Sequence, residues 1–247
     1  DNGDAPSIDQ IVNGKKSERE YYLGAGNIYV TAGCAPERFV TNALPADGTE
    51  YDIYVVARDI TDSTILSKLE KLDVDEKIYL SPELILFYQQ CEIICNIRPD
   101  GYQLDCTDID LGNSLLFLYA ADKLVRRQEG FRWVGTEKRE NPNWNPNWLV
   151  VADKDDDPIV VVTNQENSPV FASYETSALF PIADSFSVFL DALAVTLEII
   201  HEKFKGEIMD EETFEIYDDF VEILKSSLIS ILKKEEYADN FIDYLYG

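Results

Sequence analysis

NPNWNPNWLVVADKDDDPIVVVT, Asn141 to Thr163, decides how the middle of this chain folds. Asn-Pro-Asn-Trp occurs twice in tandem, and two apolar runs, WLVVA and IVVVT, then flank the acids of DKDDD, Asp153 to Asp157. A calcium loop of EF-hand type needs acids at positions 1, 3 and 5, glycine at 6 and glutamate at 12. Counted from Asp153, the acids Asp153, Asp155 and Asp157 fit. Pro158 holds the glycine position, however, and Asn164 holds the glutamate position. A hairpin asks for less. Near-continuous apolar runs are what strands inside a sheet carry, and a proline is tolerated where a strand begins. Several acids cannot be buried together, so Asp153–Asp157 is expected at an exposed tip. The two Asn-Pro-Asn units predict a rigid, non-helical lead-in, with Trp148 as the first anchor of the strand.

Outward from the hairpin, NIYVTAG (27–33) and EYDIYVVARDI (50–60) have the β-branched and aromatic content of strands. TDSTILSKLEKLDV predicts a short helix capped by Asp62 or Ser63, with Ile65, Leu66, Leu69 and Leu72 as its apolar stripe. LSPELILFYQQCEII predicts a second helix, with Ser81 as N-cap and Pro82 in the first turn. If it continues, Cys91 and Cys95 share its face. SLLFLYAADKLVRRQ combines a strand with a short helix, and FRWVG and SPVFASYET are further strands. IADSFSVFLDALAVTLEIIHEKF is a strong amphipathic helix capped by Asp184 or Ser185. EETFEIYDDFVEILKSSLISILKK and EEYADNFIDYL predict two more. The elements do not alternate as a βαβ chain would. The expected fold is α+β, a largely antiparallel central sheet flanked by helices with a C-terminal helical extension.

In 247 residues, 21 Lys and Arg stand against 47 Asp and Glu, a net charge of −26. Such a chain repels nucleic acid and anionic membrane, and long-range steering favours a basic protein partner. No apolar run is long enough to span a bilayer, and no secretory apolar segment opens the chain. A cytoplasmic location is therefore expected. The four cysteines, Cys34, Cys91, Cys95 and Cys106, are too few for a disulfide framework in a chain of this length. They include no CxxC pair for zinc.

Catalytic patterns find little support. The single histidine, His201, lies in an amphipathic helix, and GAGN at 24–27 is an incomplete dinucleotide fingerprint without a following helix. No catalytic residue, metal or cofactor is expected. A metal-assisted hydrolase using the acid cluster is a rival reading. So is a sugar-binding module built on Trp133, Trp144 and Trp148.

YLSPELILFYQQC, NWLVVADKDDDPIVVV, SPVFASYE and IADSFSVFLDAL, in this order, resemble the SUKH superfamily, which includes the Smi/Knr-type regulators of fungal cell-wall glucan synthesis and many bacterial proteins. The matching positions are Pro82, Phe87 and Tyr88 in one helix, then Trp148 opening a strand. Val170 and Phe171 match in a later strand, and Ser185, Phe186, Phe189 and Leu190 in the closing helix. Asp156 stands where that family has its turn glycine. The resemblance covers residues 65–195. It implies an N-terminal extension with strands over 1–64, a SUKH-like α+β domain over 65–196 and a helical extension over 197–247. It also implies a protein without catalytic activity. In bacteria this means an immunity protein that occludes a toxin, often a basic nuclease. The alternative within the family is a regulatory scaffold of the glucan-synthesis type. Trp144, Trp148, Asp153, Asp155, Asp156 and Asp157 are the expected partner-binding residues.

Overall fold

A computed structural model of the chain describes residues 77–94, 106–165, 167–174, 178–210 and 212–247. It also describes Leu69, Lys71, Leu72 and the backbone of three short strands, and the features below refer to these residues. The three strands are β1 (Glu20–Tyr22), β2 (Ile28–Thr31) and β3 (Ile53–Ala57). The expected caps Asp62 and Ser63, with Ile65 and Leu66, lie outside the described residues, as do Cys34 and Cys95. Leu69 and Leu72 are buried, as their stripe requires.

The first helix, α1, spans Pro82–Gln90, and Ser81 Oγ accepts the Leu84 N–H at its start. It stops one residue before Cys91, so the expected continuation through Cys91 and Cys95 does not form. The β-branched run at Ile93 and Ile94 takes extended backbone instead. Cys91–Ile94 becomes β4, antiparallel to β3, in a four-stranded sheet ordered β1-β2-β3-β4.

The second sheet holds the centre of the fold. Its strands are β5 (Cys106–Asp110), β6 (Leu115–Tyr119), β9 (Trp148–Lys154), β10 (Asp157–Val162), β11 (Val170–Ala172) and β12 (Phe180–Ala183). They lie in the order β12-β11-β10-β9-β6-β5, and every neighbouring pair is antiparallel. The central pair is the predicted hairpin. All of Leu149–Ala152 and Ile159–Val161 are buried, as two near-continuous apolar runs demand. A small two-stranded ribbon, β7 (Trp133–Val134) with β8 (Arg139–Glu140), stands apart.

β5 and β12 were not expected from the sequence. In β5, Thr107 and Ile109 are buried while Asp110 is exposed, an alternation that places the acid outward. β12 carries Pro181, which an edge strand tolerates because one row of its backbone groups meets no further strand.

β6 reaches only as far as Leu118 along β9, where it faces Ala152. Two residues on, Val150 has lost its strand partner on that side, yet it is fully buried. A short helical segment covers the gap: a 3-10 turn at Ala121–Lys123 runs into α2, Leu124–Arg127. Gln128 follows, with its side chain buried. Its amide donates to the Val150 carbonyl (2.9 Å), and its Oε1 accepts the Val150 N–H (3.0 Å). Its second amide hydrogen goes to the Leu124 carbonyl at 3.0 Å. One side chain thus stands in for a residue of β6.

Three long helices complete the core: α3 (Phe186–Glu198), which continues through a π-helical turn at Ile199–Lys203, α4 (Asp218–Leu232) and α5 (Glu235–Tyr246). Ser185 caps α3 as expected, accepting the Val188 N–H at 3.1 Å. The Glu83 carboxylate of α1 adds a second cap, accepting the Phe186 and Ser187 N–H groups at 3.1 and 3.0 Å. A carboxylate there also suits the positive end of the helix dipole. Helix α4 begins at Asp218, later than the predicted start at 211–212. Its buried stripe is Phe220, Leu224, Leu228 and Leu232, and that of α5 is Ala238, Phe241, Tyr244 and Leu245. Both stripes join the same hydrophobic core as the hairpin.

Gln128→Ala leaves the Val150 N–H and C=O without their partner inside the buried core. The expected loss is roughly 2–4 kcal/mol, read from the urea midpoint at unchanged slope. A loss below about 0.5 kcal/mol, the scale of an ordinary surface substitution, would show that Gln128 does not carry this pairing.

Candidate functional site

The hairpin turns on two residues. Asp155 and Asp156 both have left-handed backbone, φ 53° and 70°, as a two-residue hairpin loop of the favoured twist requires. Aspartate tolerates this region better than most side chains. These two are the exposed acids of the DKDDD run. Lys154 lies 3.4 Å from the Asp155 carboxylate, and Asp157 is already the first residue of β10, half-buried.

Asp153 departs from the expectation of an exposed tip. It is 5% exposed. One carboxylate oxygen accepts the Tyr119 hydroxyl, and the other accepts the Asp156 N–H at 3.3 Å. The Arg127 guanidinium lies over the Tyr119 ring, 4.9 Å from its centre. A single acid is tolerated inside because three groups answer its charge, which a whole cluster would not have. Burial pushes the Asp153 carboxyl above its usual range, against the opposing hydrogen bonds from Tyr119 and the Asp156 N–H and the charge of Arg127. Burial and the neighbouring carboxylate together hold the Tyr119 hydroxyl protonated far above its ordinary range, so it stays a donor.

The same end of the sheet gathers other parts of the chain. The β5–β6 turn lies beside the hairpin tip, because Leu116 pairs with Lys154. Helix α5 reaches both turns: the Tyr244 hydroxyl donates to the Asp157 carbonyl (2.7 Å), and the Tyr246 hydroxyl to the Leu111 carbonyl (3.4 Å). Tyr174, just past β11, donates to the Asp243 carboxylate at 2.9 Å. Burial and that carboxylate push its hydroxyl up to about 12. Ile208 packs against the β5–β6 turn at Gly112 (φ 84°), where an added Cβ would stand 2.9 Å from the Ile208 Cδ1. A nitrogen of the His201 ring lies 3.3 Å from the Asp110 carbonyl oxygen.

Exposed acids therefore converge from three elements: Asp110 from β5, Asp155 and Asp156 from the tip, and Asp243 from α5. Exposed apolar side chains accompany them. Of six large hydrophobic residues exposed among those described, Leu115, Tyr174, Phe214 and Tyr217 belong to this end or to the loop rooted on it. Sequence reasoning missed all four, although for Phe214 and Tyr217 the alternation of acids and aromatics in EIMDEETFEIYDDF was the available signal.

The tryptophans lie elsewhere. Each Asn-Pro-Asn folds as an Asx turn: Asn141 Oδ1 accepts the Asn143 N–H (3.1 Å), and Asn145 Oδ1 accepts the Asn147 N–H (2.9 Å). This brings Trp144 edge-on to Trp148 with ring centres 5.5 Å apart, and the Trp144 indole donates to the Trp148 carbonyl at 3.0 Å. Trp144 is buried against Phe131. Trp148 pairs with Val162 at the base of the hairpin, about 20 Å from the tip at the rise of a strand. The structure thus separates the six expected binding residues. Asp155 and Asp156 face solvent at one end, Trp144 and Trp148 pack at the other, Asp153 is internal and Asp157 lies in a strand.

Among the described residues, no three His, Cys, Asp or Glu side chains are placed to hold a metal ion. No helix among them is long and apolar enough to cross a membrane. Comparison with protein-family models, curated proteins and solved structures finds no match.

The carboxyl of Asp153 has a folded value above its unfolded one. Stability from this group is full below the ordinary carboxylate range and falls as pH rises toward the folded value. Asp153→Asn removes that fall. The difference in Tm between the Asn variant and the parent should be more favourable to the variant at pH 7 than at pH 4. A difference independent of pH would show that burial does not disfavour the Asp153 anion.

Proposed function

We propose that this chain is a non-catalytic binding protein of SUKH type, an immunity protein that acts in the cytoplasm by occluding a basic toxin domain. The observation that carries this reading is the acidic end of the sheet, where Asp110, Asp155, Asp156 and Asp243 meet exposed apolar side chains. A net charge of −26 adds long-range attraction for a basic partner. A nuclease fits best among toxins, because its phosphate-binding surface is basic and an acidic protein can cover it. The order of the motifs from Pro82 to Leu190 supports the family assignment. Occlusion needs no catalytic group, since stoichiometric cover alone blocks access to substrate.

The test uses the basic toxin domain encoded beside this chain, if its gene neighbourhood holds one. The parent should bind that domain one to one and protect cells that express it. Asp155→Lys with Asp156→Lys should slow association at low salt by about tenfold, and the gap should close as salt screens the charges. Asp155→Asn with Asp156→Asn keeps a residue type suited to left-handed backbone and should fall between. On-rates unchanged by the double lysine variant would remove the tip from the interface. Failure of the parent to protect would remove the immunity reading.

A further inference from the structure

We infer that the 208–217 loop presents Phe214 as the apolar anchor of the interface, and that it meets a protein surface where an apolar patch is bordered by Lys and Arg. This rests on the reading above that the partner is a basic protein. Phe214 is 72% exposed, the highest value among the large hydrophobic residues described. Isolated apolar side chains on a surface are ordinary, so its setting decides the matter.

The described residues of this loop are tied together by hydrogen bonds. Its base is Ile208, fully buried on Gly112, and the Ile208 carbonyl accepts the Tyr217 N–H at 2.9 Å. Met209 and Ile216 form an isolated bridge, the Asp210 N–H donates to the Glu215 carbonyl and the Phe214 N–H to the Asp210 carbonyl, each at 2.9 Å. The Asp210 carboxylate accepts the Glu212 and Thr213 N–H groups at 2.9 and 2.8 Å. Phe214 itself takes left-handed backbone, φ 59°, a region that bulky side chains seldom enter. The loop thus spends conformational strain to hold an aromatic ring in water. A backbone held beforehand loses little freedom when a partner covers the ring, and a buried aromatic with a polar surround is the usual anatomy of an interface hot spot.

Tyr217, 38% exposed, widens the apolar patch. The exposed carboxylates around it, Glu212, Glu215, Asp218 and Asp219, define the partner by charge. They repel a second copy of this chain and attract a rim of Lys and Arg.

The probe is a synthetic amphipathic helix with a leucine stripe bordered by lysines. Its control is a shuffled peptide of the same composition without the stripe. Against Phe214→Ser, the striped peptide should bind about tenfold more weakly than to the parent, a change that persists at high salt. Phe214→Tyr should restore most of the affinity. The shuffled peptide should bind parent and variant alike, with an affinity that falls as salt rises. Thermal melts of the variants should lie no lower than the parent's, since the ring is exposed. Equal affinity of parent and Phe214→Ser for the striped peptide, with salt-sensitive binding retained, overturns the anchor and leaves the basic-partner reading standing. No binding of either peptide at low salt removes that reading and the anchor with it. A dimer of the parent in sedimentation that Phe214→Ser dissolves would assign the ring to a second copy and overturn the proposal.

Discussion

The pairing of the Gln128 side chain with the backbone of Val150 holds the central sheet together. Hairpin strand β9 is the longest in the fold and lies between β10 and β6, but β6 runs out before β9 does. A buried strand with open backbone groups is costly. One primary amide has the right donor and acceptor, at the right spacing, to replace a peptide unit. The short segment from Ala121 to Gln128 exists to bring it there. Once β9 is fixed, its register with β10 fixes where the turn falls, and with it the outward placement of Asp155 and Asp156.

The acidic end depends equally on the C-terminal helices. Tyr244 and Tyr246 of α5 hold the carbonyls beside both turns, and Ile208 seats the following loop on Gly112. Residue 195, where the stretch proposed to be SUKH-like ends, lies within α3, and α4 and α5 bury their stripes in the common core. The surface proposed to meet a partner is therefore made jointly by residues inside and outside the stretch proposed to be SUKH-like.

Much of the fold was legible because its signals are local. Ser81 and Pro82 announced α1, Ser185 announced α3, and the apolar runs around DKDDD announced the hairpin. Other features depend on distant partners. Nothing near Cys91 says that β3 waits to pair with it, so a helix was the natural expectation. Nothing in DKDDD distinguishes Asp153 from its neighbours until Tyr119 and Arg127 arrive from other elements. The acids of 210–219 have helical spacing, but the Asp210 side chain captures two backbone N–H groups and so favours a turn over a helix. The site followed the same rule. The net charge underlies the proposal of a basic partner, while the grouping of Asp110, Asp155, Asp156 and Asp243 needed the sheet.

The segregation of the tryptophans has an optical consequence. The chain has three, Trp133, Trp144 and Trp148. Trp144 and Trp148 touch each other, and Phe131 beside Trp144 leads directly into Trp133. All three belong to the ribbon and the base of the hairpin, with the length of β9 between Trp148 and the acidic tip. Intrinsic tryptophan emission in this protein is a reporter of how the Asn-Pro-Asn turns and the hairpin base assemble. A tryptophan introduced near the β5–β6 turn would give the acidic end a signal of its own.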